Sequence, residues 1–167
     1  MAKDTVFKII LAVYVGLAVF RLTDPGLKWT KTKPRPGVVL PASIIPPSEI
    51  KIEKINLDLA ISPSVVKDNE WEVFDDRAAW LATSSLPGKG NTIIYAHDRQ
   101  GLFGSLDRLR KGDEIKIYVD KWLTYKVSEV KRVKPSDVEA ILSDKNRLTL
   151  YTCDGAFDQK RLVVYAE

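Results

Sequence analysis

Leu148 to Ala166 limits what this chain can fold into more than any other stretch. Leu148-Thr149-Leu150-Tyr151-Thr152-Cys153 and Lys160-Arg161-Leu162-Val163-Val164-Tyr165-Ala166 are rich in β-branched and aromatic residues. Between them lie the six residues Asp154-Gly155-Ala156-Phe157-Asp158-Gln159. Two such runs around a short loop with a glycine predict an antiparallel hairpin. The only cysteine of the chain ends the first run, and an arginine stands at the head of the second. If Cys153 pairs with Arg161, both side chains share one face, about 5 Å apart at Cβ. A thiol beside a fixed cation has a lowered pKa, and the thiolate is its nucleophilic form. The same cation is placed to hold the oxyanion that forms when a thiolate attacks an amide carbonyl.

The residues before the hairpin read as more short strands. Ile50-Lys51-Ile52 alternates apolar and polar, and Leu57, Leu59 and Ile61 continue at period two, so a half-buried strand pair is expected. Val65-Val66 and Trp71-Glu72-Val73 are short strand candidates. Asp75 to Ser84, with Ala78, Ala79, Trp80 and Leu81, is expected to be a helical turn or short helix. Thr92-Ile93-Ile94-Tyr95-Ala96 is a continuous apolar run, a buried strand that ends at His97. Gly101 to Arg110 is a loop with a helical piece whose core contacts are Leu102, Phe103, Leu106 and Leu109. Glu114 to Val119 alternates cleanly, and Leu123 to Val133 gives one strand or two. Pro135 to Leu142 has a proline and a serine at its head, as a short helix does. Seven or eight short strands with one or two short helices and no internal repeat predict a mostly β protein built as a closed or nearly closed barrel.

The N-terminal part differs. Val6 to Leu22 is apolar apart from Lys8 and Arg21. As a helix its 17 residues reach about 25 Å, slightly short of a ~30 Å hydrocarbon core, so both cations would snorkel. A cleavable signal peptide is the rival reading. Phe20-Arg21-Leu22-Thr23-Asp24-Pro25 contains no small-x-small site, which favours a retained transmembrane anchor over residues 1–22. Residues 23–49 hold six of the nine prolines (Pro25, Pro34, Pro36, Pro41, Pro46 and Pro47) and read as an extended, semi-rigid linker. Residues 50–167 are then the globular domain.

Composition narrows the function. Hydrophobic residues make up 45% of the chain and charged residues 29%, enough for one domain with a real core. The net charge of +4 is concentrated in Arg21, Lys28, Lys31, Lys33 and Arg35, a basic stretch suited to anionic headgroups or wall polymers. No interleaved aromatic motif accompanies it, so no nucleic-acid partner is expected. Two lysines precede the apolar core and five basic residues follow it, so the positive-inside count by itself points the C-terminal side towards the cytoplasm. One cysteine and one histidine exclude an internal disulfide and a Cys/His zinc site. Taken singly, each is most simply a packed or surface residue. Taken together, a lone Cys and a lone His are a candidate catalytic pair, brought close in space by folding.

Thr149-Leu150-Tyr151-Thr152-Cys153 resembles the Thr-Leu-x-Thr-Cys signature of sortases. Arg161 stands where a sortase carries its arginine, at the head of Arg-Leu-Val-Val-Tyr. Thr92 to His97 resembles the sortase strand that delivers its histidine, and Gly101 to Asp113 the segment after it. Ile50 to Ile61 resembles the first sortase strands. Asp98 departs from the pattern, since many sortases have a basic or small polar residue after the histidine. The resemblance implies an eight-stranded β-barrel and a cysteine transpeptidase. Cys153 would attack the Thr-Gly type bond of a sorting signal such as Leu-Pro-x-Thr-Gly, Arg161 would hold the oxyanion or the peptide, and His97 would move the proton. The thioester would pass to an amine of a wall precursor or of another surface protein, or to water. Thr152 would touch the substrate or pack in its strand. The resemblance also implies a plasma-membrane protein whose domain lies on the extracellular face, opposite to the charge count.

Within that family the expectation is attachment of surface proteins to the cell wall. Pilin-polymerising sortases carry an Asp-Pro-aromatic lid and a C-terminal hydrophobic segment; here Asp24-Pro25-Gly26 lacks the aromatic and no second apolar span precedes Glu167. A wall L,D-transpeptidase would need a Ser-His-Gly-Cys context, which is absent. A membrane-tethered β-barrel that binds peptides or glycans, with Cys153 merely packed, is the non-enzymatic alternative. Some sortases bind calcium through loop acids, and Asp137, Glu139 and Asp144 precede the cysteine strand. Acids in a solvated loop are usually no more than that, so no cofactor is expected.

Overall fold

The chain divides into two units, residues 1–33 and 34–167. The structure, a computed structural model, describes Leu40 and residues 44–67, 70–154 and 159–167, all in the second unit. The anchor expected over residues 1–22 and most of the expected linker lie outside the described residues. Among the described residues no helix is long and apolar enough to cross a membrane.

The first strand, β1 (Glu49–Ile52), runs into β2 (Leu57–Ser64) through a 3-10 turn over Glu53–Ile55. Asn56 closes that turn at φ 51°, a left-handed conformation that asparagine accepts far better than other residues with a Cβ. Next come the two-residue strands β3 (Val66–Lys67) and β4 (Glu70–Trp71), which pair only with each other. Strand β5 (Ala78–Leu81) leads to β6 (Asn91–Tyr95), and a 3-10 turn over Phe103–Arg108 leads to β7 (Glu114–Tyr118). The long β8 (Trp122–Val133) precedes a 3-10 turn over Val138–Ile141, and β9 (Arg147–Asp154) and β10 (Lys160–Ala166) form the last hairpin.

Eight of these strands close into a barrel in the order β1-β2-β5-β6-β9-β10-β8-β7, with β7 paired back to β1. The mostly β barrel expected from the strands is therefore closed, with the eight strands that the resemblance implies. Two contacts are parallel, β2 with β5 and β6 with β9; the others are antiparallel.

The segment expected to be helical, Asp75 to Ser84, is a strand at its centre. Ala78-Ala79-Trp80-Leu81 suits a helix by propensity, but it fills the gap between β2 and β6, and all four residues are buried. Burial on both faces and two ladders outweigh a local preference. The one or two expected short helices are three 3-10 turns among the described residues. Leu123 to Val133 is one strand, not two.

Alternation along the strands sorts side chains to the two faces of the wall. Ile94, Leu148, Leu150, Leu162, Val164 and Ala166 point into the barrel, where Leu102, Phe103, Leu106 and Leu109 of the second 3-10 turn join them. Ile93, Tyr95, Tyr151, Val163 and Tyr165 belong to the outer face of the same strands. That face is covered as well. Trp71, Val73 and Phe74 lie on it from the β4 side, and Ala140 and Ile141 from the third 3-10 turn.

Polar ties hold the second cover in place. The Asn91 side-chain NH2 donates to the Ile141 carbonyl at 2.7 Å, and Thr149 Oγ1 donates to Asn91 Oδ1 at 2.7 Å, both buried. Asn91→Ala strands both partners, so a loss of about 1–3 kcal/mol of unfolding free energy is expected in urea titrations. Phe103 is wholly buried; Phe103→Ala should cost about 3–5 kcal/mol in the same measurement.

Candidate active site

The site follows from register. In the β9–β10 hairpin Cys153 lies directly opposite Arg161, with Tyr151 opposite Val163. On the other side of β9, parallel β6 pairs Ile93 with Thr149 and Tyr95 with Tyr151. Two residues beyond the Tyr95–Tyr151 pair, the two strands reach His97 and Cys153. The contact continues past the ladder: the Ala96 N–H donates to the Tyr151 carbonyl at 3.4 Å, and Thr152 Oγ1 donates to the Ala96 carbonyl at 2.8 Å. Adjacent strands lie about 4.8 Å apart. Strands β9 and β10 thus bear a thiol and a guanidinium side by side on the outer face of the wall, and the chain that leaves β6 beside β9 carries His97.

Parity decides which face. Thr152 and Leu162 belong to the inward set, and their odd-numbered neighbours Cys153 and Arg161 to the outward one. Cys153 and Arg161 are each 7% exposed. His97, with its side chain 27% exposed, is the most open of the three.

Each side chain is held by its surroundings. The His97 carbonyl accepts from the backbone N–H groups of Arg99 and Phe103, both at 3.1 Å, which ties the residue to a buried anchor. Its Nε2 lies 4.0 Å from Asp75 Oδ1, an ion pair that exists only while the ring is protonated. Asp75 is itself held by Arg99, whose Nη2 donates to the Asp75 carbonyl and, at 3.1 Å, to Oδ1. Gly104 permits this loop: a Cβ there would lie 2.6 Å from the carbonyl carbon of Arg99. Asp98 is exposed.

Arg161 Nη1 donates to the Lys160 carbonyl at 3.0 Å, and the Tyr151 hydroxyl lies within reach of its guanidinium. Burial pushes the Tyr151 phenol above its ordinary pKa, and the charge of Arg161 offsets this only in part. Tyr151 therefore stays neutral at physiological pH. Its ring stacks on Trp71, with centroids 5.8 Å apart and planes at 22°, and Trp71 meets Tyr95 edge-on at 4.8 Å. The Tyr95 hydroxyl donates to the Glu72 carbonyl at 2.9 Å and lies 2.7 Å from Ser64 Oγ.

Asp75 carried no local signal, because its segment reads as helical by composition. Tyr151 stands at the variable position of the pentapeptide, and Trp71 was legible only as a strand residue. Among the described residues no three His, Cys, Asp or Glu side chains gather closely enough to hold a metal ion, Asp137, Glu139 and Asp144 included. A thiol with a cation opposite and an imidazole at the end of the next strand has the parts for nucleophilic acyl transfer: nucleophile, charge stabiliser and proton carrier.

Comparison with known proteins bears on this arrangement. The sortase domain family model matches residues 50–167, more than half of the chain. No curated protein matches. Among solved structures the chain is similar to sortase C of Streptococcus pneumoniae, with 26% identity over 73% of this chain and 67% of that one and a TM-score of 0.62. Sortase C of Clostridium perfringens SM101 is 29% identical over 72% of this chain and 68% of its own, with a TM-score of 0.61. Sortase A of Corynebacterium diphtheriae is 27% identical over 72% and 59%, with a TM-score of 0.62. A domain model spanning the whole barrel, together with these folds, means that the chain belongs to the sortase family.

Proposed function

We propose that this sortase cuts a sorting signal of the Leu-Pro-x-Thr-Gly kind with Cys153 as nucleophile, Arg161 as charge stabiliser and His97 as proton carrier. One observation supports the reading: β10 pairs Arg161 with Cys153, and β6, which leads to His97, pairs with β9 on the other side. The Cys153 thiol passes its proton to His97 and its sulfur adds to the carbonyl carbon of the Thr-Gly amide, so that the carbonyl oxygen takes the negative charge. Arg161, opposite Cys153, stabilises that oxyanion or holds the peptide that carries it. As the tetrahedral intermediate collapses, the C–N bond breaks and His97 gives its proton to the leaving amine. A thioester remains on Cys153. An incoming amine, losing a proton to His97, attacks the thioester; the C–S bond breaks, a new amide forms, and the sulfur takes that proton back from His97. Water in the same place gives hydrolysis.

The cellular reading is part of the proposal. Val6 to Leu22 anchors the protein in the plasma membrane, and the proline-rich residues 23–49 hold the barrel off its extracellular face, where wall precursors offer amines. Attachment of surface proteins is favoured over pilin polymerisation because Asp24-Pro25-Gly26 lacks the aromatic of a pilin-type lid. The barrel alone does not decide between them, since a sortase C and a sortase A are matched at the same TM-score.

Incubation with a Leu-Pro-x-Thr-Gly peptide should give a mass adduct on the native protein and none on Cys153→Ala. His97→Ala and Arg161→Ala should each lower amine transfer by roughly two orders of magnitude or more, the scale of general acid–base and oxyanion contributions. An acyl adduct that persists in Cys153→Ala removes this cysteine from the mechanism.

The burial of Cys153 favours a second reading, a tethered binding barrel with a packed thiol. Thiol reactivity separates the two. A peptide-like vinyl sulfone should label native Cys153 quickly if the thiol is activated, and only on unfolding if it is packed.

A further inference from the structure

We infer that Tyr151 is a positioning residue for Arg161 and that Trp71, from the small β3–β4 hairpin, holds Tyr151 in place. The inference rests on the role proposed above for Arg161, and it concerns this chain's own tyrosine at the variable position of the pentapeptide.

The geometry is a diagonal cross-strand pair. Tyr151 faces Val163 directly, and Arg161 is two residues from Val163 on the same face. Diagonal neighbours lie about 7–8 Å apart, within reach of a phenol and a guanidinium. The register and this reach place the Tyr151 hydroxyl beside the guanidinium, whose charge lowers the phenol's pKa against the effect of burial. An arginine side chain has many rotamers, so an oxyanion-holding role needs neighbours that select one. The Lys160 carbonyl restrains it from the adjacent residue. Tyr151 restrains it from the next strand, diagonally across the pair.

The tyrosine is fixed in turn. Its ring rests on Trp71, which packs edge-on against Tyr95. The hairpin that carries Trp71 is pinned to the barrel through the Glu72 carbonyl, which accepts from the Tyr95 hydroxyl at 2.9 Å and from Ser64 Oγ at 3.0 Å. Strands β3 and β4 pair with no barrel strand. Their position thus reaches Arg161 through a stack of rings rather than through a ladder.

The test is a double-mutant cycle on peptide cleavage with an amine acceptor, with kcat and KM measured separately. Tyr151→Phe keeps the ring on Trp71 and removes only the hydroxyl. It should lower kcat about tenfold, the factor that follows from losing one hydrogen bond to a charged group, while leaving KM and the urea midpoint unchanged. In an Arg161→Lys background, already impaired, the same change should cost almost nothing further. Trp71→Ala should reproduce the kcat loss, and Trp71→Phe should restore most of it. An equal loss from Tyr151→Phe in both backgrounds, or a loss confined to KM, overturns the inference. So does full kcat in Tyr151→Phe while Arg161→Lys is impaired, and that result leaves the proposed role of Arg161 standing. Full activity in Arg161→Lys overturns both.

Discussion

The pairing of β6 with β9 and of β9 with β10 is the constraint on which the rest depends. A parallel ladder on one side of β9 and an antiparallel one on the other place residues far apart in sequence within two strand spacings. A slip of one residue in either ladder would turn a site residue to the barrel interior. The register is therefore held from several sides. Thr149 and Thr152 reach across to β6 by side-chain hydrogen bonds to Asn91 Oδ1 and to the Ala96 carbonyl. The inward residues Leu148 and Leu150 are both fully buried.

A barrel usually keeps its chemistry at a rim or in its lumen. Here the lumen is filled with apolar side chains, and the Cys153–Arg161 pair lies on the outer face of the wall. Part of that face is covered by two small elements, the β3–β4 hairpin with the residues after it, and the 3-10 turn over Val138–Ile141. A low-dielectric setting strengthens the influence of a guanidinium on a thiol or an oxyanion.

The same double burial explains what a reader of the chain misses. Strands covered on both faces lose the alternation that marks a half-exposed strand. Ala78-Ala79-Trp80-Leu81 is the clearest case: without alternation and with helix-favouring residues, only its ladders to β2 and β6 make it a strand. Asp75, just before it, was invisible for the same reason. Where one face meets solvent, as in β7, the alternation and the strand agree.

Composition and order along the chain determined the β-rich class and the final hairpin that can set Cys153 opposite Arg161, because these rest on local propensity and on a short loop. The pentapeptide ending at Cys153 was enough to suggest the family. The tertiary structure alone decided that His97 comes alongside through a parallel strand, that the Cys153–Arg161 pair faces outward, and that Asp75, Tyr151 and Trp71 surround the site. Those facts depend on contacts between segments distant in sequence, and no local pattern of side chains encodes which strand lies beside which.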